Sequence, residues 1–213
     1  MKQEITIRNN HFYLHHTGAM YWKQQRMLLI ADVHLGKVSH FRKHGSAVPI
    51  AAVFRNFEAL DEVMEFYEPE RICFLGDLFH SKSNQEWDLF CEWALEQKAD
   101  IILVRGNHDI IPLVDYECAN VQVTEEWILN SFLLSHYPDN REGLFTICGH
   151  IHPGVRLIGL GRQELQLPCF HKMKNQIILP AFGTFTGLYC MDLKETDQIF
   201  AIADQEVVAV PHG

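Results

Sequence analysis

The chain has 213 residues, of which 47% are hydrophobic and 21% charged. That is enough apolar material to bury one sizeable core, and no long run of like charge argues for disorder. The formal net charge of −9 excludes the broadly basic surface of a duplex-wrapping protein, so contact with nucleic acid must be local or assisted by metal.

The opening residues, Met-Lys-Gln-Glu-Ile-Thr, lack the apolar segment of a signal peptide, and no apolar run reaches the length of a membrane span. A cytoplasmic protein with no membrane partner is expected. Residues 27–31 (MLLIA) form a short continuous apolar run, which predicts a strand buried on both faces. A long amphipathic helix follows, opening at Pro49 and carrying Val53, Phe57, Leu60, Met64 and Tyr67 on one face. Residues 71–75 predict a second buried strand. A helix from near Asn84, with Trp87, Cys91 and Ala94 on one side, leads to a third strand at 101–104.

Strand–helix–strand–helix–strand with right-handed crossovers makes these strands parallel neighbours. The second half changes character, with short strands at 127–129, 132–135, 144–148, 155–158, 176–179 and 199–203 and a tight hairpin at Asn130-Ser131. No linker or repeat divides the chain, so residues 1–213 read as a single domain of two sheets packed face to face with helices outside. The six cysteines form no C-x-x-C pair and read as reduced, mostly buried thiols.

Thirteen histidines are many for this length, and several stand in motifs at strand ends. The first strand runs into Asp32-Val33-His34, the second into Gly76-Asp77, and the third into Arg105-Gly106-Asn107-His108-Asp109. Later strands run into His136 and into Gly149-His150-Ile151-His152. In open α/β sheets ligands gather beyond the carboxyl ends of parallel strands, so these clusters should converge. In Asp32-x-His34 an extended backbone would point both side chains the same way, towards one ion. The same geometry applies to His150-x-His152, though the two imidazoles could serve different ions. Carboxylate, imidazole and amide oxygen suit manganese, iron, zinc or magnesium. A lone Asp-x-His is a weak signal; five such motifs, each after an apolar strand, are a strong one.

These motifs resemble those of the calcineurin-like metallophosphoesterases, over residues from about 27 to 185. The resemblance implies an α/β four-layer sandwich, two mixed sheets packed face to face and flanked by helices, with a two-metal site at the strand ends. It assigns Asp32, His34 and His152 to one ion, Asn107, His136 and His150 to the other, and Asp77 to a bridge between them. ADVHLGKVSHFRKHG at 31–45, GDLFHS at 76–81, Glu86-Trp87, LPCF at 167–170 and LPAFGTFTG at 179–187 further resemble the bacterial ligase-associated DNA damage response endonuclease subfamily. That likeness implies a nuclease in DNA repair, single-stranded DNA as the expected substrate, manganese as the first-choice metal, and a DNA ligase and a helicase as functional companions. Val33, where many relatives have leucine, is a departure that changes no ligand.

Two ions about 3.5–4 Å apart can lower the pKa of a shared water and clamp phosphoryl oxygens. The resemblance makes His108 the substrate-facing histidine, and Asp109 either orients its imidazole or braces a turn. Lys37 and Arg42, with Lys43 and His44, form a basic stretch that either grips flanking phosphates or is a solvated face. His40 and His80 follow ligand motifs, but ordinary hydrogen bonding is the first expectation for them. His11, His15, His16, His171 and His212 have no motif support. Gly36-Lys37 lacks the glycine spacing of a P-loop. A second reading is a small-molecule phosphoesterase acting on a cyclic nucleotide or a nucleotide-lipid precursor. The lipid enzymes carry Asn-Arg-Asp where this chain has Asn107-His108-Asp109. A third is a non-catalytic scaffold, disfavoured by the complete ligand set.

Overall fold

A computed structural model describes residues 3–39, 51–80, 85–159, 161, 163–184, 186–192 and 194–211. The first sheet runs β1 (Gln3–Ile7), β2 (Asn10–Leu14), β3 (Met20–Trp22), β4 (Met27–Ile30), β5 (Arg71–Leu75), β6 (Asp100–Val104) and β7 (Val121–Thr124), in that spatial order. β4 to β7 are parallel, as the crossover argument requires, while β1 to β4 meander antiparallel. The crossovers are made by α1 (Ala51–Tyr67), α2 (Gln85–Glu96) and α3 (Leu113–Cys118). Pro49 and Asn84, the expected helix starts, lie outside the described residues.

The second sheet holds β8 (Trp127–Leu129), β9 (Phe132–Leu134), β10 (Phe145–Cys148), β11 (Pro153–Ile158), β12 (Glu164–Lys172), β13 (Gln176–Ile178) and β14 (Tyr189–Cys190), joined by β15 (Gln198–Ala203) and β16 (Glu206–Val210). It too is mixed: β9 and β13 flank β10 in parallel, while β8 returns on β9 through the expected hairpin.

Alternation along each strand builds two cores. Leu28 and Ile30 of β4, Ile72 and Phe74 of β5 and Ile101 and Leu103 of β6 face the helices, against Phe57, Leu60, Trp87, Phe90 and Tyr116. Met27, Leu29, Cys73, Leu75, Ile102 and Val104 point the other way, onto Phe132, Leu134, Phe145, Ile147, Phe170 and Ile177 of the second sheet. Strands buried on both faces are what a continuous apolar run encodes. On α2 the buried side is Trp87, Phe90, Trp93 and Ala94, with Cys91 at its margin. Among the described residues no helix is long and apolar enough to cross a membrane, and all six cysteines are free.

Because β4, β5 and β6 run parallel in one sheet and β9 and β10 run parallel in the facing one, each sheet presents aligned carboxyl ends. The five motifs follow these five strands. The second half contributes to the site only because the sheets stack.

Candidate metal centre

The loops leaving β4 and β5 stay paired beyond the strands. Asp32 N–H donates to the Gly76 carbonyl at 3.2 Å, His34 N–H to Asp77 at 2.9 Å and Leu35 N–H to Leu78 at 2.8 Å. This holds Asp32, His34 and Asp77 side by side. The backbone there is not extended, contrary to the i, i+2 argument. Asp32 (φ 55°), His34 (53°), Asp77 (51°), His150 (70°) and His152 (53°) all sit in the left-handed region. Such residues cost about 1–3 kcal/mol each and gather where a site demands a particular side-chain direction. Asp32 and His34 still converge, through alternating backbone handedness rather than the pleat.

Two groups result. Asp32, His34 and His152 form one, and Asp77, His136 and His150 the other, each with ligand atoms within 4.8 Å of one another. In the first, Nε2 of His152 is 3.2 Å from Nε2 of His34 and 3.4 Å from Oδ1 of Asp32. In the second, Nε2 of His136 is 3.0 Å from Nδ1 of His150, 3.2 Å from Oδ1 of Asn107 and 3.5 Å from Oδ1 of Asp77. His150 and His152, two residues apart, therefore belong to different groups.

The donor chemistry can be tested against a cation. Nδ1 of His136 lies 3.0 Å from the Leu75 carbonyl oxygen, which can only accept. Nδ1 thus carries a proton, and Nε2 points at two oxygens that are themselves acceptors. Tyr137 OH, 3.1 Å from Oδ1 of Asn107, supplies one proton to that knot. Oδ1 of buried Asp32 has no hydrogen-bond partner among the described residues. Acceptors crowded 3.0–3.5 Å apart have the spacing of ligands sharing an ion at about 2.0–2.2 Å. The residues fit divalent metal ions.

Close approach fixes the surroundings. Asp32 Oδ2 takes the backbone N–H of His150 at 2.8 Å, stitching the two groups together. A Cβ on Gly149 would overlap Asp32 Oδ2, and one on Gly76 (φ 82°) would overlap the His136 ring. Burial, with the charges of His152 and Lys37 next in size, drives the His34 imidazole down to about 2, and burial lowers His150 as well. Both rings are neutral at physiological pH.

Asp109 is buried, and Oδ2 accepts the N–H of Asp77 and of Gly106, each at 2.8 Å, while Oδ1 accepts that of Phe79 at 3.1 Å. This is the bracing alternative; among the described residues no hydrogen bond joins Asp109 to the His108 ring, because both carboxylate oxygens already face backbone amides. Burial, opposed by those amides, raises its pKa. His108 N–H donates to Asp77 Oδ1 at 2.9 Å, and its half-buried ring lies 5.7 Å from that of His34 and 4.8 Å from that of His80. His80 thus lines the same corner. Arg105 reaches Glu125 at 3.6 Å instead of the centre.

Lys37 is half-buried; burial lowers its pKa, opposed by the carboxylates of Asp32 and Asp77, so its ammonium lies within their field. Arg42, with His40, Lys43 and His44, lies outside the described residues. Buried Glu86 accepts the N–H of Gly36 at 2.6 Å and the Ser39 hydroxyl at 2.6 Å, so it holds the turn that carries Lys37. Buried Asn56 of α1 donates to the Val33 carbonyl at 3.2 Å and accepts the Thr184 N–H at 3.1 Å. Glu86, Asn56 and Tyr137 were not singled out as site residues from sequence. A polar residue on the apolar face of α1 was the available signal for Asn56, and the ring next to His136 that for Tyr137. Burial pushes the Cys169 thiol up to about 12, so it is no ready nucleophile.

The sequence matches the family described as calcineurin-like phosphoesterase over residues 25–200. The solved structure of Pseudomonas putida nuclease MPE is similar with a TM-score of 0.84 and 28% identity, covering 99% of this chain and 100% of that one. Yfce, a phosphoesterase from E. coli, gives a TM-score of 0.42 at 16% identity over 86% of this chain and 96% of its own. No curated protein matches.

Proposed function

This chain belongs to the calcineurin-like phosphoesterase family and is a metal-dependent phosphoesterase, and we propose that it is a two-metal phosphodiesterase that cleaves DNA, with single-stranded DNA as substrate. Asp32, His34 and His152 would hold one ion and Asn107, His136 and His150 the other, with Asp77 shared between the two sets. The observation that carries this is the crowding of His136 Nε2 against Asn107 Oδ1 at 3.2 Å and Asp77 Oδ1 at 3.5 Å. When bound, the pair of ions supplies an acidified water and positive charge on the phosphoryl oxygens.

The protein's own groups do the rest. His108, held through its backbone by Asp77, presents its imidazole to the scissile phosphate, where it stabilises developing charge or protonates the leaving oxygen. Lys37 and Arg42 grip neighbouring phosphates, a local basic contact that a chain of net charge −9 needs. Nuclease MPE, a nuclease by name and alike over its whole length, supports a nucleic-acid substrate. The subfamily motifs support manganese as metal, a cytoplasmic repair setting, and a ligase and a helicase as companions.

The test is an assay of purified protein with manganese on a generic phosphodiester, a phosphomonoester, a cyclic nucleotide and single-stranded DNA, beside His108→Ala. DNA cleavage lost in the variant supports the proposal. Cyclic-nucleotide turnover with intact DNA would replace it by the small-molecule reading.

A further inference from the structure

A third group of ligand-type side chains lies on other elements. His15 and His16 follow β2 in the turn to β3, and Glu62 sits in the third quarter of α1. Their ligand atoms lie within 4.8 Å of one another. Glu62 Oε1 is 2.9 Å from Nε2 of His16 and 3.8 Å from Nε2 of His15. Ligands at about 2.0–2.1 Å on a tetrahedral ion stand roughly 3.3–3.4 Å apart, so the two observed separations bracket the required one.

We propose that His15, His16 and Glu62 form a separate site for one transition-metal ion of zinc type, clipping the β2–β3 turn to α1. His15 is built for it. The residue is 6% exposed, and its ring is anchored at Nδ1, which lies 3.0 Å from the Thr17 hydroxyl and accepts the Thr17 backbone N–H at 3.4 Å. This anchoring turns Nε2 towards the Glu62 carboxylate. Burial, with the charge of His16 second, lowers the His15 pKa to about 4, so its lone pair is available at neutral pH. Phe66 and Tyr67 wall the ring at 5.5 and 5.8 Å, while Glu62 stays about half exposed, which leaves the fourth position to water. Two imidazoles and one carboxylate suit zinc better than magnesium or calcium.

Both anchors also reach the catalytic loop. Gly18, in the same turn, lies against Pro180 and Phe182, and the Phe182 and Gly183 amides donate to Ala31 and Asp32. Glu62 shares α1 with Asn56, which holds Val33. An ion here would fasten the frame around Asp32 and His34.

Metal-stripped protein is reloaded with zinc, desalted and assayed for zinc per chain by mass spectrometry, with folding checked by circular dichroism. Wild type should retain one ion per chain more than His16→Ala and than Glu62→Gln, whatever number the catalytic centre takes. Cobalt loading should show visible absorption that drops in the same two variants. Equal zinc in wild type and both variants would overturn the proposal and leave the three residues a histidine–glutamate ion pair. The near-isosteric Glu62→Gln keeps the test decisive if His16→Ala folds poorly.

Discussion

The carboxylate of Asp109 accepts the backbone N–H of Asp77 at 2.8 Å, so the residue assigned to bridge the two ions is aimed by a side chain that touches neither. The same carboxylate takes the amides of Gly106 and Phe79, tying the β5 loop to the β6 loop. Asp109→Ala should strand three buried donors and lose about 2–4 kcal/mol of stability. Metal affinity should fall about 10–100-fold, as for other outer residues that orient ligands. Denaturant titration and metal titration measure the two effects; unchanged metal affinity would mean that Asp77 is aimed by its loop alone.

Gly76 is where the β5 loop passes the His136 ring. With φ at 82° and no room for a Cβ, Gly76→Ala should displace His136 and cut both metal occupancy and phosphodiesterase activity by at least about tenfold. Gly143, equally left-handed but open to solvent, is the control: alanine there meets backbone strain without touching a ligand, and full metal occupancy is expected.

His108 contacts the centre through its backbone, which a side-chain change leaves in place. His108→Ala should keep the wild-type metal content while kcat falls about 10²–10⁴-fold. Loss of metal along with activity would show the imidazole to be part of the ligand cage.

Chelation should abolish activity, and the stripped protein should melt at lower temperature because acceptor groups in both groups face one another unneutralised. Manganese at about 100 times its dissociation constant should restore about 2.7 kcal/mol. A melting temperature indifferent to chelator and manganese would count against ions at this site.

In the absence of metal, His15 should make the fold acid-sensitive. Its folded pKa is about 4 against the ordinary 6.5. Between those values the unfolded chain holds a proton that the folded chain does not, so stability falls as pH drops through this window and is fully present above it. From pH 7 to pH 5 the linkage amounts to about 2 kcal/mol. Chelator-treated His15→Gln should lose that much less than wild type over the same interval, read from denaturant midpoints.

What the sequence determined by itself was everything carried by local pattern. Apolar runs buried on both faces marked β4, β5, β6, β9 and β10, and the chemistry after each run marked the candidate ligands, because a strand end and its motif are neighbours along the chain. The β1–β3 meander, β7, β12, β14 and β16 escaped that reading, since their pairing is settled by the strands beside them. Local pattern left open which candidate ligands meet; the two sets came from the family resemblance, and the stacked sheets bring the side chains together. Asp32 and the His150 amide are 118 residues apart, and His150 and His152, two residues apart, stand in different groups. Tertiary structure alone decided that Asp109 serves backbone amides, that Glu86 and Asn56 hold the catalytic loops, and that His15 and His16 find Glu62. Each is a long-range hydrogen-bond or charge pairing, made only when two sheets and a helix stack, and residue type and spacing hold no record of which distant partner arrives.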